Sequence, residues 1–284
     1  MVIRNDTARI VTDAGVTLKM GRSQHLPYVI DPINGVDVTL QTSQGVSQEG
    51  ENVDNQTVGG VYRTIQGIFW DGDAVAKKFL NSLHYDTTGT IYLYGKYSAR
   101  FAMKKLPDPS NFSDDKLYFT MMIFCPSPFW ESIKETSCSI GGYTAAFRFP
   151  INYKTPHRFS TANKTSVTVT NKGSRSAPFS ATLTCEAAAV ENPTITNLTT
   201  GEYLTLNTTM QPGDVVTIGR SAENVVTATL NRGGVERNIF GKLDEGGTFY
   251  KIAPGDNLLT VNSVRLRVEL SFKALYSGVI PDAG

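Results

Sequence analysis

Apolar and polar residues alternate with a period of two along most of the chain, and Thr and Val crowd the segments where the alternation is cleanest, so the pattern predicts strands. In the first half, residues 36–40, 61–70 and 90–94 read as strands, and residues 117–125 read as a strand covered on both faces. The second half is denser, with strands expected at residues 166–170, 179–185, 194–196, 215–218, 225–230 and 264–272. Short strands separated by turn residues at this spacing imply a sandwich or a barrel. One helix interrupts them over residues 74–83. Asp73 of Asp71-Gly72-Asp73 is its cap, and Val75, Phe79, Leu80 and Leu83 fall on the face laid across a sheet. Residues 41–60 carry almost no apolar side chains and join two strands, as a long loop or an extended hairpin arm. The two prolines of Pro126-Ser127-Pro128-Phe129-Trp130 end the first set of strands. The chain is therefore expected to divide into residues 1–135 and residues 136–284, and 284 residues are enough for two cores.

Charge narrows the classes of partner. Lys and Arg number 27 against 26 Asp and Glu, a net of +1, and the two signs are interleaved, so neither specific nucleic-acid binding nor attachment to an anionic membrane is expected. The most apolar stretch, near residues 117–125, is far short of the roughly 20 residues that cross a bilayer, and the charged start does not read as a signal peptide. Cys125, Cys138 and Cys185 have no CxxC spacing and read as reduced, buried thiols.

Candidate chemistry is sparse. No phosphate-binding glycine loop, HExxH pair or GxSxG elbow occurs, and His25, His84 and His157 stand far apart, so no cofactor, metal or catalytic residue is assigned. Glu186, Glu191, Glu202 and Glu269 are scattered as on solvated strand faces, and Tyr92, Tyr94, Phe69 and Trp70 are explained by a β core. The N-x-[ST] sites at Asn111, Asn163, Asn197 and Asn207 arise readily in an Asn- and Thr-rich chain. The profile is that of a structural or assembly protein and not of an enzyme. The alternative is a carbohydrate-binding module presenting Tyr203, Tyr250 and Tyr276 to a cell-wall glycan.

Turn chemistry carries a resemblance. Asn171-Lys172-Gly173 is followed by Ser176-Ala177-Pro178, by residues 191–197 (Glu-Asn-Pro-Thr-Ile-Thr-Asn), by Thr199-Thr200-Gly201-Glu202, by Gln211-Pro212-Gly213-Asp214 and by Ala253-Pro254-Gly255-Asp256-Asn257. In that order and spacing they resemble the distal tail protein (Dit) family of long, non-contractile-tailed bacteriophages. A thinner match in the first half joins Gly35, the polar loop with Gly45 and Gly50, the Arg63-led strand with Ile65, and the Pro126–Trp130 exit. Each piece also has a local meaning: Asn192-Pro193 biases its first residue to extended geometry, and Pro-Gly pairs suit type II turns.

The resemblance implies a mainly β fold. Its N-terminal part would be a split-barrel-like domain with one helix that assembles as a ring, and its C-terminal part a galectin-like β-sandwich. It implies a homo-hexamer at the virion tail tip, assembled in the cytoplasm of the bacterial host. Its partners would be the tail tube protein, the tail-associated hub protein and a receptor-binding protein, and DNA would pass through the ring. The long polar segment and the strand after it are expected to form the contact between copies, with Gly45, Gln48, Gly50, Arg63 and Ile65 as interface residues.

Overall fold

The structure is a computed structural model describing residues 8–21, 28–35, 37–70, 74–113, 116–145, 160–220, 225–247 and 249–279. Val36, the Asp71-Gly72-Asp73 turn with its cap, His25, His157 and residues 147–150 lie outside the described residues. The chain forms two compact units, Met1–Lys134 with Leu275–Gly284, and Glu135–Ala274.

The first unit is built on β1 (Ala8–Thr12), β2 (Thr17–Met20), β3 (Tyr28–Asp31), β4 (Val38–Ser43), β5 (Asn52–Val58), β6 (Val61–Trp70), helix α1 (Ala74–Asn81), β7 (Thr88–Leu93), β8 (Tyr97–Ser113), β9 (Lys116–Cys125) and β10 (Trp130–Ser132). One antiparallel sheet runs in the order β2-β1-β7-β8-β9-β6-β3, and β10 pairs both with β8 and with the short strand Leu275–Tyr276. The return of the last residues to the first unit adds to the two-part division expected at residue 135. Ile10, Leu18, Ile65, Phe69, Ile91, Phe101, Met121, Ile123 and Trp130 point inward from these strands into one apolar core.

Helix α1 joins that core through Ala76 and Phe79, and Leu83 follows just beyond its end. Val75, expected on the buried face, is 66% exposed. At 100° per residue position 75 lies on the flank of the stripe through positions 76, 79 and 83, and there it is left uncovered. Strand β9 likewise departs from expectation. Its inward residues are buried but the alternate ones are only partly covered, so it has one wet face. Close backbone approach explains one glycine: a Cβ on Gly89 would sit 2.4 Å from the Val11 carbonyl oxygen and 2.9 Å from the Phe101 ring.

The second unit contains a six-stranded and a four-stranded antiparallel sheet. Phe179–Cys185 buries every second side chain, and it lies between Val215–Arg220 and Leu266–Phe272. Thr194–Asn197 pairs with Glu202–Thr205 across a turn in which Gly201 takes φ +76°. Asn192 departs from the extended geometry expected before proline and takes φ +46°. Asparagine tolerates this left-handed region better than most residues.

The motif residues of this unit hold loops together. Asn171 Nδ2 donates to the Arg175 and Ile252 carbonyls, and its Oδ1 accepts from Gly173 N. Asn197 Nδ2 donates to Asn257 Oδ1 at 2.9 Å, and both side chains are fully buried, so Asn197 is not an exposed glycosylation site. Glu186, expected on a solvated strand face, instead accepts from Tyr143 N at 2.6 Å and pairs with Arg267 at 2.7 Å.

Asp214 closes the Pro212-Gly213 turn. Its carboxylate is buried, accepts from Gln211 N at 2.7 Å and is forked by Arg232 Nε and Nη2. The hydrogen bond from Arg232 is the main cause holding its pKa below the ordinary carboxylate value, with the Gln211 amide assisting against burial. A depressed folded-state pKa stabilises the fold above the unfolded value of about 3.9, and that contribution is lost as pH falls through the lower, folded value. Asp214→Asn will therefore lower the melting temperature of the second unit by a constant amount at neutral pH. The gap from the unsubstituted chain will narrow below about pH 4, as read by circular dichroism melts across a pH series.

Candidate functional site

Residues 38–58 fold as an extended hairpin, which settles the loop-or-arm alternative. Among the described residues strands β4 and β5 pair only with each other, and their side chains are exposed along nearly the whole length. The composition explains this: Thr, Gln, Asn and Ser satisfy a two-stranded ladder but supply no core.

The tip is ordered by Gln48. Its Oε1 accepts from Gly45 N at 3.0 Å, its backbone N donates to Gly45 O at 3.1 Å, and its Nε2 donates to Asn52 Oδ1 at 3.0 Å. Gly50 turns the chain with φ +84°, and Val46 is completely exposed at the apex. Gly45, Gln48 and Gly50 are thus brought together at the end of a projecting arm.

Arg63 and Ile65 are placed elsewhere. Both are buried in the first unit, 1% and 0% exposed, on a strand flanked by β3 and β9, so neither side chain is available to a neighbour. The Arg63 guanidinium lies 4.6 Å from the Trp130 ring centroid, and its Nη2 donates to the Pro128 carbonyl at 3.2 Å. Its Nε and Nη1 have no hydrogen-bond acceptor. The π face and one carbonyl take the place of a carboxylate. Arg63 and the Pro126–Trp130 exit, two separate marks in the sequence, form one internal cluster.

The face of the same sheet that points away from the core is partly apolar and basic. Tyr62 is 51% exposed and its ring packs on Phe124 at 5.0 Å. Lys104 stands over that ring at 5.7 Å, and Arg9 over the Tyr92 ring at 4.4 Å. The register slip at Met103/Lys105 turns the consecutive Lys104 and Lys105 outward. Neither the exposure of this face nor the bulge was legible in the sequence, where the lysines and prolines of β8 hide the strand.

The aromatics assigned to a glycan site are not gathered. Tyr250 is buried against Phe179, and burial pushes its hydroxyl pKa far up; Tyr276 belongs to the first unit, edge-on to Tyr97. Tyr203 is exposed, with its hydroxyl donating to Asp244 at 3.3 Å, and Tyr276 is half-buried. The three cysteines are unpaired, and burial raises each thiol pKa. Among the described residues no three His, Cys, Asp or Glu side chains converge as metal ligands.

These features define a two-unit antiparallel β protein whose first unit projects an unpaired arm. The family profile of the siphovirus-type tail component, C-terminal domain, matches residues 172–276. The crystal structure of Dit from phage SPP1, described as a paradigm of the hub adsorption apparatus in phages infecting Gram-positive bacteria, superposes with a TM-score of 0.63 at 9% identity. That match covers 94% of this chain and 98% of that one. The phage P2 baseplate in its activated conformation with calcium matches at a TM-score of 0.46 and 12% identity, covering 98% of this chain and 100% of that one. Its strontium form matches at 0.45 and 11%, covering 96% and 99%. No curated protein sequence matches the chain. Residues 172–276 thus resemble the C-terminal domain of the siphovirus-type tail component, as the motif order implied, and the chain shares the fold of Dit from phage SPP1.

Proposed function

We propose that the protein forms a ring at the tail tip, with six copies, that continues the tail tube, receives the tail-associated hub protein below and leaves a channel for DNA. It acts by assembly and not by catalysis. The observation that carries this reading is the β4–β5 arm: an ordered hairpin, exposed on both strands, on a chain with the Dit fold. An isolated two-stranded hairpin is marginally stable in water, so such an arm is expected to find cover on another molecule.

Light scattering across a concentration series, with imaging of the largest species, tests it. Annular particles are expected. Replacing residues 38–58 by a short Gly-Ser link will weaken self-association by about two orders of magnitude, the scale of removing a principal contact. The far-UV circular dichroism and melting of both units will be nearly unchanged. An unaltered oligomer mass in the arm-deleted chain would remove the arm from the contact.

A further inference from the structure

The second unit carries an open cleft of about 380 Å³ lined from both of its sheets. Leu204 comes from the strand Glu202–Thr205 of the four-stranded sheet, Val226 from the strand Val226–Arg232 of the six-stranded sheet, and Leu243 and Phe249 from the chain that follows. Together they make an apolar wall. The loop that closes the cleft is tied along the edge of the four-stranded sheet: Asn207 N donates to the Lys242 carbonyl at 2.7 Å, Leu206 bridges Leu243, and Asp244 N donates to the Thr205 carbonyl at 2.9 Å. Gly246 and Gly247 let this loop lie against Tyr203. A Cβ on Gly246 would stand 3.1 Å from the Tyr203 hydroxyl, and one on Gly247 would stand 3.3 Å from the Tyr203 carbonyl oxygen.

Two side chains at the cleft are poised for a ligand. Phe240 opens the short 3-10 helix Phe240–Lys242, its amide donates to Asn238 Oδ1 at 2.8 Å, and its side chain is left 48% exposed. Asp244 lines the same cleft with its carboxylate fixed at both ends: Oδ1 accepts from Asn207 Nδ2 at 3.2 Å and Oδ2 from the Tyr203 hydroxyl at 3.3 Å. Both donors are neutral, so the carboxylate is oriented while keeping its charge, and each oxygen has a further lone pair to offer.

The chemistry of the lining selects the ligand. Glu245 adds a second carboxylate, and among the described residues no Lys, Arg or His lines the cleft, so phosphorylated or carboxylated molecules are repelled. A compact, donor-rich body with an apolar face fits. A pyranose ring has that form: its C–H face packs on an aromatic ring, and adjacent hydroxyls donate to one carboxylate in charge-assisted bonds. The volume lies in the range of small-molecule sites. A lysine or arginine side chain would answer the charge, but its narrow stem would leave most of the apolar wall uncovered.

We infer that this cleft binds a neutral hexose unit of a surface polysaccharide, with Phe240 as the stacking platform and Asp244 as the acceptor of two sugar hydroxyls. Of the three tyrosines expected to hold a glycan, only Tyr203 takes part, and it acts by orienting Asp244. The site lies within the second unit of a single copy, so it is independent of the ring reading.

The test titrates the full chain calorimetrically with linear trisaccharides of glucose, galactose, mannose and N-acetylglucosamine, with glycerol phosphate as the anionic probe and tri-arginine as the cationic one. At least one trisaccharide is expected to bind with a Kd of about 0.1–1 mM, and glycerol phosphate is not. Phe240→Ala is expected to weaken that binding at least about tenfold and Phe240→Trp to preserve it, because the indole supplies the same platform. Asp244→Asn is also expected to cost at least about tenfold through loss of the charge-assisted bonds. Phe240 is exposed, and melting profiles check that its variants fold like the unsubstituted chain. The assignment is overturned if none of the trisaccharides binds at about 10 mM, if sugar binding survives both Phe240→Ala and Asp244→Asn, or if tri-arginine alone binds in a Phe240-dependent way. The oligomer mass, which tests the ring, is expected to be the same for every one of these variants.

Discussion

Trp130→Ala will destabilise the first unit by about 3–5 kcal/mol, the range for removing a large buried aromatic side chain. Trp130 is fully buried, donates from Nε1 to the Ile33 carbonyl at 2.9 Å, and opens the strand that joins β8 to Leu275–Tyr276. Its loss strips Arg63 of the π face that partly replaces solvent around a buried cation. Arg63→Met is expected to behave differently, within about 1 kcal/mol of the unsubstituted chain, because it removes the buried charge together with its need for partners. Both tryptophans of the chain, Trp70 and Trp130, belong to the first unit. Fluorescence of Trp70 in a denaturant titration will therefore follow that unit alone. A loss below about 1 kcal/mol in Trp130→Ala would contradict the packing described.

Asn257→Ala is expected to weaken the second unit by about 3 kcal/mol or more. The side chain accepts from Asn197 Nδ2 and Ala253 N and donates to the carbonyls of Ala253 and Gly255 at 2.8 and 3.0 Å. It is completely buried, so truncation orphans several polar groups where water does not reach, at about 1–3 kcal/mol for each that stays unpaired. Asn197→Ala in the same chain will add less than its separate effect, since the bond between the two amides is already lost. The unfolding transition that is silent in tryptophan fluorescence, followed by far-UV circular dichroism, reads both changes.

The asparagines show what the sequence displayed and what it withheld. The order of turn motifs pointed to a family because Asn171, Asn197 and Asn257 each bridge a loop to a strand that only this topology brings near. Their chemistry is visible locally as Asx and Pro-Gly turns, and their partners are not. Strand residues 179–185 were equally legible, since one buried face imposes a strict alternation. Strand β8 was not: Lys104, Lys105, Pro107 and Pro109 erase its periodicity, and pairing with β9 across several register slips sustains it.

The arm was legible as an absence of apolar side chains, which marks a segment that builds no core. Its companions in the expected contact, Arg63 and Ile65, were read as surface from their place on the following strand. Arg63 is inside because a tryptophan and a carbonyl some 65 positions away accommodate it, and no local pattern carries that information. The wet face of β9 was hidden for the opposite reason. Met122, Phe124 and Tyr118 are apolar enough to suggest burial, and the isolated chain leaves them partly uncovered.

The strand Leu275–Tyr276 belongs to the first unit but is written after the whole of the second. On the ribosome, Trp130 waits for its strand partner on the order of ten seconds while the intervening sandwich is made. The sandwich can fold on the nascent chain, whereas the unit that bears the arm closes only after Leu275–Tyr276 has been made. A chain stalled or cut before Leu275 carries an unfinished edge beside β10, so closure of the first unit registers that the whole of the second has been made.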